Sequence, residues 1–344
     1  MNIKAVARRA GVSTATVSRT INGSAKVSPD TANRVRAAIQ DLDFYPNTNA
    51  RALGSGRSSF YGLIISDITN PFFPEIAKAF EDVAVEHGQE VLMSNTNYDP
   101  GRMEMCVRRM LQRKVDGVAI LTSEMDDKLV QVLRGQNIPI VFLDSGKPGP
   151  GINVVSINYA VGVDAGMDHL IRLGHRSFAF ISGPLHLASA LTRFRAFNDG
   201  LARNHLITHQ ALIREGNHRV DGGHDAMAKI LHSGARPTAV MASNDLTAIG
   251  AMGAIYEHGL RVPENISVMG YDDIQLSAYT QPALTTIGLP RDEIARIAFR
   301  ALFRSHAHGR SKPLPGEAHE VKSALIVRKS TGPASSSMGR GNRD

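Results

Sequence analysis

The chain has 344 residues, 42% hydrophobic and 21% charged, ordinary proportions for a globular protein of two or three domains. Its apolar runs fall short of the roughly 20 residues that span a bilayer, and its start, MNIKAVARRAGV, has charge where a secretory signal needs an apolar core. A single cysteine, Cys106, excludes an internal disulfide, and no metal-ligand cluster or cofactor motif is visible, so a cytoplasmic protein without a cofactor or membrane partner is expected.

The charge is uneven. The first 57 residues hold nine Lys/Arg against three acids, which accounts for +6 of the formal net charge of +7. A basic module beside a nearly neutral body points to a polyanion at one end. Within that module, Ile3 to Ala10 predicts a helix with Ile3, Val6, Ala7 and Ala10 on one face. Gly11 tolerates a positive φ, Val12 can plug a core, and Ser13 is a good N-cap for a second helix reaching about Asn22. Helix, short glycine turn, helix is the helix-turn-helix pattern, whose second helix enters the major groove. Val17 and Ile21 fall on its packed face, and Thr14, Ala15 and Arg19 on the other. Ser28–Pro29 predicts the start of a third helix, running to about Leu42. Gly54 to Ser59 reads as linker.

From Tyr61 onward, short apolar runs alternate with longer amphipathic stretches. Strands are expected at Tyr61–Ser66, Glu90–Ser94, Val115–Leu121, Pro139–Leu143 and Ile152–Ile157, with helices between them. A second series runs from helix Val161–Leu173 to strand Ser267–Tyr271. Repeated βα units predict mostly parallel sheets with helices on both faces, and two series predict two lobes. Ligands of such sheets bind beyond the carboxyl ends of the strands. Asp67, Asp144, Asn244, Asp245 and Asp272 are polar residues at expected strand ends. Capping or turn chemistry is the competing role for Asp144 and Asn244.

These residues resemble the lactose/galactose repressor family. The likeness runs through the whole string from Ile3 to Ser58. It continues at Asp67 with Asn70-Pro71-Phe72-Phe73, Val115-Asp116-Gly117, Leu173-Gly174-His175, Arg193 with Ala196-Phe197, Asn244-Asp245, and Val268 to Asp273, covering essentially residues 2 to 329. The resemblance implies an all-α helix-turn-helix headpiece followed by a two-lobed α/β core like that of periplasmic binding proteins. It implies a sequence-specific transcriptional repressor rather than an enzyme, acting as a homodimer on a pseudo-palindromic operator and controlled by a small effector between the lobes. Expected boundaries are 1–46 for the headpiece, 47–59 for a hinge helix and linker, 60–158 plus about 290–318 for the first lobe, 159–289 plus about 319–330 for the second, and 331–344 for a disordered tail.

By the same resemblance, Thr14, Ala15 and Arg19 occupy base-reading positions, while Ser13, Thr16, Ser18, Asn22 and Thr31 correspond to phosphate contacts. Asn47, Ala50, Arg51 and Leu53 belong to the hinge helix, with Leu53 wedged into the minor groove and Arg51 as its cation. Phe72 and Phe73 line the effector cleft, Arg193 and Asp272 are its polar anchors, Asp67 and Asp245 bind hydroxyls, and Asp144, His218 and Asn244 complete the expected set. The chain departs from the purine-responsive pattern: Leu187 and Ser189 stand in place of an Arg and a Thr, and His218 in place of an aromatic. A sugar or polyol effector is therefore expected. A protein co-regulator is the alternative effector, and a solute-binding role is a remoter one that the basic module opposes.

Overall fold

The computed structural model describes residues 2–21, 26–45, 58–122, 125–207, 209–307 and 313–335. The hinge positions Asn47, Ala50, Arg51 and Leu53, and Asn22 among the expected phosphate contacts, lie outside them.

The chain divides into two compact units, 1–59 and 60–344. The first is a three-helix cluster: α1 (Ile3–Ala10), α2 (Thr14–Ile21) and α3 (Pro29–Asp41). Asn2 caps α1 and Ser28 caps α3, each accepting a backbone N–H from the first turn. Gly11 ends α1 at φ 66°, the left-handed conformation that lets the chain turn at once into α2. Val6, Ala7, Ala10, Val17, Val35 and Ala38 are buried together, with Ile3, Val12 and Ile21 packed against them. Arg9 reaches Asp41 at 2.7 Å and ties α1 to α3.

The second unit contains two six-stranded sheets. The first is ordered β11-β5-β4-β3-β1-β2, from β1 (Phe60–Ile65), β2 (Glu90–Asn95), β3 (Gly117–Leu121), β4 (Ile140–Leu143), β5 (Ile152–Asn158) and β11 (Ala318–Lys322). Helices α4 (Phe72–Glu86), α5 (Pro100–Gln112) and α6 (Asp127–Gly135) connect its strands. The second sheet is ordered β12-β10-β9-β8-β6-β7, from β6 (Phe178–Ser182), β7 (Ile213–Glu215), β8 (Ala239–Ala242), β9 (Ser267–Asp272), β10 (Thr285–Gly288) and β12 (Ala324–Ile326). Its helices are α7 (Tyr159–Arg172), α8 (Ala188–Arg203), α9 (Val220–His232) and α10 (Asp245–Glu257). Among the described residues, every strand pair is parallel except β10 with β12. Strands such as β3 and β8 are buried along their whole length, because helices cover both faces.

The chain crosses between sheets three times: after β5, between β10 and α11 (Arg291–Ala307), and between β11 and β12. Helix α11 returns to the first lobe, where Phe299 packs on Tyr61 and Phe80. The last crossing corrects the expected boundary at 318/319. Ala318–Lys322 forms a full parallel ladder with β5, so the change of lobe falls at Ser323. Ser323 Oγ accepts from Gly162 N and donates to Asn158 O, pinning the crossing to the start of α7.

The expected tail also begins too early. Gly332 N donates to Ser267 Oγ, His175 Nε2 lies 3.0 Å from Gly332 O, and Ala334 N donates to Leu173 O. Residues 331–335 therefore belong to the second lobe, and 336–344 lie outside the described residues. No described helix is long and apolar enough to cross a membrane.

Candidate functional site

Two separate surfaces carry the candidate chemistry. On the first unit, Val17 is fully buried, and this orients α2 so that Ser13, Thr14, Ala15 and Arg19 are exposed. Thr16 and Ser18 are half-buried beside them. Ser13 Oγ accepts from Thr16 N at 3.1 Å and lies 2.9 Å from Thr16 Oγ1, so the helix start is capped while the outer face stays open. Thr31 sits in the first turn of α3, its Oγ1 accepting from Ser28 Oγ. One charged fork, one methyl and one small hydroxyl therefore project from the exposed side of α2. This is a set that can bond base edges and touch thymine methyls.

On the second unit, the carboxyl ends of both sheets face a common, partly open cleft with an internal cavity of about 80 Å³. The first lobe contributes Ser66, Asn70, Phe72, Phe73, Thr122, Leu143 and Asp144; the second contributes Tyr159, Leu187, Ser189, Arg193, His218, Asn244 and Asp272. Phe72 and Phe73 meet edge to face, 5.4 Å between ring centres, and form an apolar wall.

Arg193, 7% exposed, is the centre of the polar wall. Its Nη1 donates to Ser243 O at 2.5 Å, and its Nη2 lies 3.3 Å from Asp272 Oδ1. The guanidinium lies over Tyr159 at 4.9 Å and Tyr271 at 4.3 Å, so two ring faces stabilise its charge away from water. Burial, the largest single influence, opposes that charge, but Asp272, Tyr159 and Tyr271 together outweigh it and raise the Arg193 pKa above its ordinary value. Arg193 Nε and Asp272 Oδ1 are buried and make no hydrogen bond within the described residues. Hydrogen bonding therefore leaves this ion pair incompletely satisfied, a cost borne at the cleft wall.

Burial raises Asp272 to about 6 despite Arg193. Burial likewise raises Asp144 to about 6, against a hydrogen bond that Tyr159 Oη donates to it from the other lobe. His218 is pushed down to about 3 by burial and by Arg193, so it is neutral at pH 7. Its Nε2 lies 2.6 Å from Ser243 Oγ. The ring fits only because residue 183 is glycine: a Cβ there would lie 1.8 Å from His218 Nε2. Asn244 does both jobs expected of it, lining the cleft and capping α10 through Thr247 N.

Two expected ligand residues stand elsewhere. Asp67 does not line the cleft. It accepts from Thr69 N and Oγ1 and from Arg219 Nη2 at 3.0 Å, a bridge from the first lobe to the second. Burial would raise its pKa, but Thr69 and Arg219 outweigh burial and lower it. Asp245 is fully buried, with its oxygens taken by Ile274 N, Ser277 Oγ and Thr286 Oγ1. It fastens α10 to the segments around β10. Seven of the nine expected effector residues thus meet in the cleft: Phe72, Phe73, Asp144, Arg193, His218, Asn244 and Asp272. Tyr159 was missed; as the first residue of α7, immediately after a strand end, it stands where the ligand rule applies.

Comparison with known proteins gives two family matches. Residues 2–47 match "Bacterial regulatory proteins, lacI family", and residues 167–331 match "Periplasmic binding protein-like domain". The HTH-type transcriptional repressor PurR of Mannheimia succiniciproducens is 33% identical over 95% of this chain and 98% of its own length. The ribose operon repressor of Escherichia coli is 35% identical over 87% of this chain and 91% of its own. Among solved structures, the Lac repressor dimer bound to operator and the anti-inducer ONPF matches with a TM-score of 0.82 at 30% identity, covering 96% of this chain and 99% of that one.

Proposed function

The chain belongs to the lacI family of bacterial regulatory proteins and is an effector-controlled, DNA-binding transcriptional repressor, not an enzyme; from that premise we propose that its effector is a small neutral sugar bound in the cleft. The observation that carries this reading is the Arg193–Asp272 ion pair in the cleft wall, a guanidinium and a carboxylate that bring donors and acceptors to one place. Sugar hydroxyls serve both at once. The Phe72–Phe73 wall suits the apolar face of a pyranose or furanose ring.

Charge sharpens the choice. Asp144 and Asp272 share Arg193; the second guanidinium near Asp272, that of Arg291, is paired with Glu75; and His218 is neutral. A phosphate or carboxylate on the effector would add to an existing excess of buried negative charge. Leu187 and Ser189 provide no fork or amide for the edge of a purine. Among the relatives, the ribose operon repressor bears a name in keeping with this chemistry.

Calorimetric titration with free sugars including D-ribose, sugar phosphates and nucleobases tests the reading. Heat is expected from one or more neutral sugars and from none of the phosphates; tight binding of hypoxanthine or guanine refutes it. Affinity should also depend on pH. Hydroxyls that donate to Asp144 and Asp272 favour the ionised carboxylates, so binding releases protons near pH 6. Affinity should hold between pH 7 and 8 and fall as the pH drops through about 6.

For DNA, Thr14, Ala15 and Arg19 read base edges in this proposal, and Ser13, Thr16, Ser18, Asn22 and Thr31 hold phosphates. Two headpieces of a homodimer meet the two halves of a pseudo-palindrome. In this proposal Asn47, Ala50, Arg51 and Leu53 also contact the operator, with Arg51 and Leu53 in the minor groove. The effector sets the angle between lobes and so governs whether the two hinges can pair.

A further inference from the structure

The amino ends of the first-lobe strands form the edge opposite the effector cleft. Phe60, where the chain leaves the linker, lies here: it pairs with Glu90 of β2, and its carbonyl accepts from Asp116 N just before β3. Helix α5 descends onto the same edge, and the turn that follows carries Arg113 and Lys114. Arg109 lies one helical turn before Arg113, and all three side chains are exposed. None forms an ion pair among the described residues, whereas Arg108 beside them is neutralised by Glu104 at 3.1 Å. Arg134, in the last turn of α6, adds a fourth cation near the start of β4; of the exposed acids on this edge, Glu86 is paired with Arg296 and Glu317 with Arg304, and Glu90 lies at the start of β2. The core as a whole is nearly neutral, so this concentration of positive charge is local.

The tether supplies the second observation. Fourteen residues separate Tyr45, the last described residue of the headpiece unit, from Phe60. Fully extended they reach at most about 50 Å. A duplex held by the headpiece therefore stays at high effective concentration near this edge, where the tether enters the core. We propose that Arg109, Arg113 and Lys114 form a second, sequence-independent DNA contact on the core, touching duplex phosphates once the headpiece has docked. The headpiece would then supply specificity and only part of the electrostatic affinity.

The test uses the full-length protein and a labelled 40-base-pair duplex whose central site has been selected from a random pool with the wild type. Affinity is measured from 50 to 300 mM KCl for wild type, R109Q/R113Q/K114Q, and a second-lobe control, K229Q/R236Q. Each phosphate that is no longer neutralised flattens the log–log salt slope by about 0.9, so one such phosphate per protomer flattens it by about 1.8 in a dimer. The triple variant should show at least that change and bind about tenfold or more weakly at 50 mM salt, with the control unchanged. Sedimentation velocity on the same samples reports assembly. A slope within 0.5 of wild type overturns the proposal, as does a loss of affinity that accompanies dissociation of the variant into monomers.

Discussion

Arg193→Met is expected to abolish the heat of sugar binding and to lower the stability of the core by about 3 kcal/mol at pH 7. Methionine roughly fills the space, so a cavity is not the main cost. The loss comes from the groups left behind. Asp272 is 3% exposed, and its Oδ1 stands 3.3 Å from Arg193 Nη2. Ser243 O loses the donor 2.5 Å away. Breaking a buried ion pair by removing one partner typically costs about 3–5 kcal/mol, and protonation of the stranded carboxyl softens this. That softening fixes the pH dependence. Asp272 already has its folded pKa raised to about 6, above the ordinary 3.8, so its ionisation weakens the fold as pH rises. Without Arg193 its pKa climbs further, and the deficit of the variant should grow from pH 5 to pH 8. Thermal melts at those two values check the sign. Arg193→Lys keeps the charge but not the fork or the flat face between Tyr159 and Tyr271. It should recover most of the stability and little of the sugar affinity. Binding that survives in Arg193→Met would remove Arg193 from the effector site.

Arg19→Ala carries the second large effect, on DNA. Arg19 is exposed on α2 opposite the buried Val17, so its removal leaves the headpiece core intact. A bidentate arginine–guanine contact discriminates by about 1–3 kcal/mol. Two half-sites double that, so operator affinity should fall by roughly 30-fold to 10⁴-fold, with preference relaxed at one base pair in each half. Arg19→Lys separates reading from attraction, because it keeps the charge and gives up the fork. Its salt slope should match wild type while its preference among half-site sequences weakens. Gel-shift competition between the selected operator and single-base variants reads both quantities. An unchanged preference in both variants would assign base reading to other residues.

Much of this was legible in the chain. The spacing of Val6, Ala10, Val17 and Ile21 located much of the headpiece core, and alternating βα units pointed to two parallel-sheet lobes. Buried polar partners set the limit. Asp67 and Asp245 look like Asp144 and Asp272 in sequence, four acids after apolar runs. Their roles are set by groups far away: Arg219, 152 residues on, captures Asp67, and Ile274, Ser277 and Thr286 capture Asp245. No local pattern encodes which carboxylate lines the cleft. Strands β11 and β12 escaped for a related reason. They are short edge strands with mixed burial, so neither alternation nor an apolar run marks them. Tyr159 and Tyr271 show the same limit from the other side: only the three-dimensional arrangement shows that they enclose one guanidinium.

The central claim is that sugar in the cleft and operator on the headpiece act on one equilibrium. Linkage then requires each ligand to change the affinity of the other by the same factor. The direct measurement takes a sugar identified by calorimetry and determines its dissociation constant with and without saturating operator duplex, then that of the operator with and without saturating sugar. The account predicts two equal factors, of about 5 to 150 for a coupling of 1–3 kcal/mol, both lost in Arg193→Met. Sugar that binds with the same affinity whether or not operator is present would contradict it.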